Sequence, residues 1–363
     1  MGVDRRGVLI FCCFIAAYLL LFDKPALAQH IQLRGTVADA VTGQSLPGVN
    51  VFIDQTVKGS ATDENGAFQI KGFSAGSYKV VASMIGYEVA SEQIELTPAD
   101  SIYTLHIDLT PSITEMGEIS VVDKSSRAWR KDFRRFRKLF LGESGNVRHT
   151  EILNPHALDF TQEGGVFSAQ AYEPLEIINR ALGYKVTFIL TDFRLEQNKG
   201  LLHTQGPFYF SPLAPASKKE ERKWASSREK TYKGSLTHLL ASLARQSEVA
   251  QGFSIRYDDR SNAPYSQKRP ALQYIAGVNI MQPTSAAYLF RISFPEYLFV
   301  TYAGKQSWLK MNTTHAIVHE SGYVFGARNA SGAITVYGAL SKRRIADLLP
   351  RDYRFKKLSV FKY

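Results

Sequence analysis

Leu46-Pro47-Gly48-Val49-Asn50-Val51-Phe52-Ile53 and Thr62-Asp63-Glu64-Asn65-Gly66-Ala67-Phe68-Gln69-Ile70 each place a turn signal directly ahead of a short run rich in β-branched and aromatic residues. Pro47-Gly48 and Asn65-Gly66 supply the backbone conformations that tight turns need, and the runs after them are of strand length. On either side the pattern repeats. Ile31-Gln32-Leu33-Arg34-Gly35-Thr36-Val37 alternates, and Tyr78–Met84 and Ile102–Leu109 are further strand-like runs. Short strands punctuated by Gly, Pro and Asn, with no helical period between them, predict a small β-sandwich over residues 29–112. Asp63-Glu64-Asn65-Gly66 could also open a calcium loop. The Glu such a loop needs near its end is missing, since Ala67-Phe68-Gln69-Ile70-Lys71 follows, so the segment reads as a hairpin turn.

The same region carries a family resemblance. Gly35-Thr36-Val37, Asp39, Thr42-Gly43, Leu46-Pro47-Gly48-Val49-Asn50-Val51, Gly59, Thr62-Asp63, Asn65-Gly66, Phe68, Gly76, Tyr78 and Ile85-Gly86-Tyr87 occur in this order. The series resembles the carboxypeptidase regulatory-like domain of Bacteroidetes-type secreted and outer-membrane proteins. The resemblance implies a transthyretin-like (prealbumin-like), seven-stranded all-β sandwich with a carbohydrate-binding-like fold, and no catalysis. It gives Gly35, Pro47, Gly48, Thr62, Asp63, Asn65, Gly66, Phe68, Gly86 and Tyr87 the role of scaffold. A second resemblance lies further on. Phe140-Leu141-Gly142, Ile152-Leu153-Asn154-Pro155, Leu182-Gly183-Tyr184 and Ala346-Asp347-Leu348-Leu349-Pro350 are similar to an uncharacterised companion region that follows this sandwich in some such proteins, and it brings no activity.

Ahead of the sandwich, Asp4-Arg5-Arg6 precedes an apolar run from Val8 to Phe22, and Ala26-Leu27-Ala28 has the small-x-small pattern that signal peptidase accepts. The run is shorter than a bilayer span requires, so residues 1–28 read as a secretory leader with Gln29 as the first mature residue. Cys12 and Cys13 lie inside it without a lipobox. Of 44 basic and 33 acidic side chains, the leader holds Arg5, Arg6, Lys24, Asp4 and Asp23; 41 and 31 remain, for a charge of +10 and no cysteine. Thiol catalysis, thiolate zinc and disulfides are thereby excluded from the mature chain, which is expected in the periplasm, at the outer membrane or on the cell surface.

Residues 113–125 form a linker in which Ile119–Val122 could add an edge strand. The composition then changes. From Lys124 to Lys138 there are eight basic residues against the single Asp132, while Trp129, Phe133, Phe136 and Phe140 recur at intervals of four, three and four. On a helix these four make one apolar stripe flanked by cations. Arg130, Lys131, Arg134, Arg135, Arg137 and Lys138 are therefore the candidate contacts for an anionic partner. The stripe itself is expected to dock on the protein's own β-structure; a helix lying on anionic lipid is the competing reading. Nucleic acid is set aside for an exported protein.

Residues 126–363 read as an α+β region, helix-rich over 126–250 and β-rich over 253–363. Pro174–Leu182 has a helix-start Pro and ends at Gly183, ahead of a strand at Tyr184–Leu190. Ser217-Lys218-Lys219-Glu220 is a capping box, and Leu236, Leu239, Leu240 and Leu243 keep helical spacing. Val278–Met281, Tyr288–Ile292, Tyr297–Val300 and Thr335–Tyr337 read as strands.

No chemistry stands out. None of the histidines at 30, 106, 149, 156, 203, 238, 315 and 319 has Glu three residues on, as a zinc carboxypeptidase requires. His315 and His319 have the i, i+4 spacing of a metal pair on a helix, but Thr313-Thr314 and Tyr323-Val324-Phe325 around them favour strand. There the two rings stand about 13 Å apart, too far for one ion. Nucleophile-elbow, phosphate-loop and dinucleotide fingerprints are absent from the sequence. The aromatic end Leu358–Tyr363 is like that of outer-membrane barrels, but the strands before it are too short and few. The expected function is that of a non-enzymatic envelope protein acting by binding or assembly, without catalytic, cofactor or metal residues. Its candidate partners are an envelope protein, a glycan or an anionic membrane surface. A carbohydrate-binding protein at the outer membrane, and a hydrolase with its site in 126–363, are the alternatives.

Overall fold

The computed structural model describes residues 31–353 apart from 75, 98–99, 113–123, 125, 258–272, 275–279, 287, 296 and 326–332. The leader, nearly all of the 113–125 connection with its edge strand, residues 278–279 and the run 358–363 thus lie outside the described residues.

Alternation in the first segment produces seven strands: β1 (Ile31–Asp39), β2 (Asn50–Ile53), β3 (Gly59–Ala61), β4 (Ala67–Phe73), β5 (Gly76–Ser83), β6 (Ala90–Leu96) and β7 (Ile102–Leu109). They form two sheets, β4-β1-β7 and β3-β2-β5-β6, with β1 and β7 parallel and the remaining pairs antiparallel. In β7 the inward residues Leu105, Ile107 and Leu109 alternate with exposed Thr104, His106 and Asp108, the signature of a sheet with one wet face. Leu33, Val37, Val51, Ile53, Phe68, Ile70, Phe73 and Val80 fill the space between the sheets. This is the expected all-β sandwich. Two of its strands, β3 and β6, went unread because their residues are small or charged.

The scaffold residues sit at the turns and at one close approach. Gly35 is flanked by Leu105 on one side and Phe68 on the other, and a Cβ there would come within 1.9 Å of the Leu105 carbonyl and 2.7 Å of the Phe68 ring. Gly48, Gly66 and Gly86 have φ of 78°, 73° and 87°, a region that favours glycine. Pro47 and Gly48 occupy an exposed turn closed by buried Thr62, whose hydroxyl donates to the Leu46 carbonyl (2.6 Å) and accepts from the Val49 amide (2.9 Å). Asp63 accepts the amides of Asn65 and Ala67. The turn it organises is not a hairpin: β3 and β4 belong to opposite sheets, so Asp63–Gly66 carries the chain across the sandwich. The Tyr87 hydroxyl donates to Asp39 Oδ2 (2.8 Å). The Thr42 backbone amide, with Tyr87 and the Val41 amide, holds the Asp39 carboxyl below the usual carboxylate range.

A second core follows, formed by helix α1 (Arg127–Leu141) and eight strands: β8 (Thr150–Ile152), β9 (Leu158–Glu163), β10 (Val166–Ala171), β11 (Leu175–Asn179), β12 (Tyr184–Phe188), β13 (Asp192–Glu196), β14 (Leu201–Gln205) and β15 (Phe208–Pro212). The sheets β15-β12-β11-β8 and β14-β13-β10-β9 are wholly antiparallel. Residues 126–250 are therefore not helix-rich alone: strand and helix share the segment about equally, with the strands gathered over 150–212 between the helices. The Pro174–Leu182 helix is corrected by β11. Leu175, Ile177 and Asn179 are buried with half-buried Glu176 and Ile178 between them, and the segment pairs with β8 and β12 on its two edges. β-branched residues between two partners favour strand over helix. Gly183 does have positive φ (69°), but it ends a turn in which Asn179 Oδ1 accepts the amides of Ala181 and Leu182, both at 3.1 Å.

Helix α2 (Lys218–Tyr232) starts at the expected capping box, with the Ser217 hydroxyl accepting from the Glu220 amide and Glu220 accepting from the Ala216 amide. It lies on the second module: the Trp224 indole sits against Gly183 and donates to the Arg180 carbonyl (2.9 Å). Helix α3 (Leu236–Ala244) buries Leu239, Leu240 and Leu243 in a third core. That core is closed by β16 (Phe253–Tyr257), β17 (Gln273–Tyr274), β18 (Met281–Pro283), β19 (Leu289–Ile292), β20 (Tyr297–Tyr302), β21 (Lys305–Met311), β22 (Ala316–His319), β23 (Val324–Phe325) and β24 (Ile334–Gly338). Its sheets are β17-β16-β20-β21-β24 and β18-β19-β22-β23. The α+β half of the chain is thus mostly β and is organised around two cores.

The C-terminal segment joins all three modules. Ile345 and Ala346 enter the second core. The Arg351 guanidinium lies over the rings of Tyr78 (5.1 Å) in the sandwich and Tyr323 (4.4 Å) in the third module, and donates to the Ser77 carbonyl (3.0 Å). Beside it, the loop after β2 extends β15: the Gln55 amide donates to the Phe208 carbonyl (2.7 Å), the Phe210 amide to the Thr56 carbonyl (2.9 Å) and the Phe208 amide to buried Asp54 (3.0 Å). Burial raises the Asp54 pKa.

Candidate functional site

Helix α1 begins at Ser126, whose hydroxyl accepts from the Trp129 amide, and ends at Gly142, where φ is 94°. Its aromatic stripe faces inward. Phe136 and Phe140 are fully buried; Phe136 stacks on Phe140 (centroids 4.8 Å apart) and meets Phe193 at 4.6 Å, while Phe140 meets Phe188 edge-on at 5.3 Å. Trp129 is buried, donates its indole N–H to the Leu158 carbonyl (3.1 Å) and stacks on half-buried Phe133. The stripe is spent on the protein's own sheets.

That orientation fixes where the cations go. Arg127, Arg130, Lys131, Arg134 and Lys138 are exposed. At i, i+3, i+4, i+7 and i+11 they form a single ridge diametrically opposite the aromatic stripe, on a helix about 22 Å long. Among the described residues no carboxylate forms an ion pair with any of the five. Nor is the N-terminal half of the ridge placed for helix stability, although Lys138 does sit in the last turn. The first turn has no acidic residue and carries Arg127, Arg130 and nearby Lys131, where the helix dipole disfavours positive charge. Lys124, just ahead of the helix, pairs instead with Asp159 and the Leu158 carbonyl.

Two of the six cations singled out from the sequence belong elsewhere. Arg135 lies over the Phe167 ring (4.2 Å) and donates to Gln162 (2.9 Å). Arg137 donates to the Val147 and Thr150 carbonyls (3.3 and 3.1 Å). Both flank the apolar stripe and close its margins against the sheet, so they hold the helix in place and are not presented outward. Arg127 takes their place in the ridge; its spacing to Arg130, Lys131 and Arg134 was the available signal.

His238, His315 and His319 have structural surroundings. His315 and His319 fall on an extended segment, as their flanks predict, with strand β22 covering Ala316–His319. His319 Nδ1 accepts from the Ser321 amide (3.1 Å), and burial pushes its pKa down to about 4. His238 is buried under Tyr232, Phe253 and Tyr302. Its Nδ1 accepts the Gly234 amide (3.0 Å), which leaves Nε2 to donate to Gln251 (3.3 Å). Burial holds this ring neutral too, with a pKa of about 4. Among the described residues no group of three or more His, Cys, Asp or Glu converges as a metal centre would need.

Comparison with known families matches residues 33–121, about a quarter of the 363-residue chain, to the CarboxypepD_reg-like domain. The match spans the sandwich from β1 through β7. No curated protein matches the chain. Among solved structures, the major pilin subunit BcpA of Bacillus cereus is similar over 23% of this chain and 31% of its own at 13% identity, with a TM-score of 0.22. A type II cohesin–X-dockerin complex from Acetivibrio cellulolyticus is similar over 21% and 52% at 24% identity (TM-score 0.18). A DUF3823 family protein from Parabacteroides merdae is similar over 54% and 85% at 15% identity (TM-score 0.19). The chain thus spans about a third to a half of the length of the first two. TM-scores of this size decide nothing about function.

Proposed function

We propose that this protein acts by binding at the cell envelope and not by catalysis, exported by the leader in residues 1–28 and held against an anionic membrane surface by the outer face of α1. The observation that carries the reading is the ridge: five exposed cations on one helix face, three of them at the N-terminal end where the helix dipole disfavours them, with the opposite face committed to the core. Because Trp129, Phe136 and Phe140 are buried, the helix has no aromatic anchor to insert into lipid. Contact is then electrostatic, worth roughly 1 kcal/mol per cation near an anionic leaflet and screened by salt.

Flotation with phosphatidylglycerol-containing and pure phosphatidylcholine vesicles tests this. Binding is expected on the anionic vesicles alone, to fall with salt, and to disappear in the Arg130→Glu/Arg134→Glu protein while its melt is unchanged. Equal binding to both vesicles, or binding indifferent to the double reversal, would refute it. Export is checked by N-terminal sequencing after expression with the leader, which should read from Gln29. A glycan partner is favoured by a different surface, on the third module.

A further inference from the structure

The outer face of the five-stranded sheet in the third module has a composition unlike a solvated sheet face. Strand β20 buries Leu298 and Val300 and turns Tyr297, Phe299 and Thr301 outward; β21 buries Ser307 and Leu309 and turns Gln306, Trp308 and Lys310 outward. The register places Phe299, Trp308 and Tyr337 side by side across β20, β21 and β24, with Arg256 of β16 beyond Phe299. A second row holds Tyr297, Lys310 and Thr335. Trp308 and Tyr337 have nearly parallel rings (5.8 Å, 9°), Tyr297 meets Tyr337 at 6.4 Å, and the Lys310 ammonium lies 5.7 Å from the Tyr297 ring.

We propose that this face is a glycan-binding site for an acidic polysaccharide. The site is separate from the α1 ridge and does not rest on it. Three features select the ligand. The outward positions named are aromatic or polar and none is aliphatic. Aromatic faces suit the C–H faces of pyranose rings, and a flat row on neighbouring strands, about 4.8 Å apart, suits an extended chain of such rings. Hydroxyls and amides surround the rings: Thr301, Gln306, Thr335, and Asn312, which donates to Thr335 (2.8 Å). The charged groups among these positions are Arg256 and Lys310, both exposed cations. A ligand that stacks, carries hydroxyls and also bears carboxylate or sulfate groups satisfies all three.

The tryptophans provide a direct readout. Of the three, Trp129 and Trp224 are buried and Trp308 is half-exposed on this face. The purified protein is titrated with polygalacturonate, with neutral xylan as control, while tryptophan emission and its quenching by acrylamide are followed. Polygalacturonate is expected to shield Trp308 from the quencher. Trp308→Ala and Tyr337→Ala should weaken binding about tenfold or more, Trp308→Phe should retain it, and Lys310→Gln should weaken it and reduce its salt dependence. Since polyanions also meet basic helices, Arg130→Glu/Arg134→Glu must leave the shielding intact. The proposal is overturned by absence of binding, by equal binding of xylan, or by binding lost on the helix reversal but kept in Trp308→Ala. Concentration-dependent dimerisation through this face that Trp308→Ala abolishes, with no glycan bound, would assign the face to a second copy of the chain and equally overturn it.

Discussion

Replacing Phe136 by Ala separates a helix that belongs to the core from one that belongs to a membrane. Phe136 is fully buried and meets Phe140, Phe193 and Phe160 at centroid distances of 4.8, 4.6 and 5.7 Å. Removing the ring forfeits roughly 2–3 kcal/mol of transfer free energy. The aromatic contacts add about 0.5–1.5 kcal/mol each beyond area, and a cavity remains between two sheets that have little room to collapse. Together these effects put the loss at about 3–5 kcal/mol, a large part of the ~5–15 kcal/mol that holds a domain together. At roughly 2–4 °C per kcal/mol for a protein of this size, the melt should drop by about 10 °C. The assay is differential scanning calorimetry of wild type, Phe136→Ala and, as a ridge control, Lys131→Ala, with vesicle flotation on the same samples. Lys131→Ala should move the melt by no more than ~0.5 kcal/mol. An unaltered melt for Phe136→Ala together with lost vesicle binding would refute the packing argument.

Two further outcomes are expected. His238 is buried neutral with a pKa of about 4 against an unfolded value of 6.5, so its contribution is fully present above pH 6.5 and is lost as pH falls toward 4, by about 3 kcal/mol. Denaturant melts at pH 7 and pH 4.5 should show the third module weakening first, and His238→Gln should flatten that dependence; an unchanged pH slope in the variant would contradict it. Gly35→Ala pushes a methyl into the Leu105 carbonyl and the Phe68 ring, so the sandwich should lose its cooperative transition. A variant whose 31–109 amides exchange as slowly as in wild type would show that β1 and β7 can part without cost.

What the sequence disclosed, and what it hid, follows from how local each signal is. The sandwich was legible because its turns are chemically explicit: Pro47-Gly48, Asn65-Gly66 and Gly86 can do little else. Helix α1 was legible because four aromatics at helical spacing admit one face. Strand β11 was hidden because Pro174 and Gly183 punctuate a strand and a helix alike, and only pairing with β8 and β12 settles which. The aromatic sheet face was hidden for the opposite reason. In Tyr297-Leu298-Phe299-Val300 both faces are apolar, so the run looks like a strand buried on both sides, and the outward direction of Tyr297 and Phe299 appears only once β20 has its neighbours. The removal of Arg135 and Arg137 from the ridge likewise depends on groups outside the helix, Phe167 and Gln162 for one and the Val147 and Thr150 carbonyls of the turn that follows the helix for the other.

The return of the C-terminal segment has a consequence for the order in which the chain can finish folding. Asn179 donates to the Ala346 carbonyl across 167 residues, Asn146 to Asp347 across 201, and Arg351 to the Ser77 carbonyl across 274. Synthesis delivers α1 and its sheets long before residues 345–351, so the second core must wait, its wall unfinished, while the whole third module is made. Contacts of such separation close slowly and leave apolar surface uncovered in the interval. An incomplete chain is for that period a target for holding factors and proteases, and a lesion near residue 346 would be felt as failed maturation of strands made some 170 residues earlier.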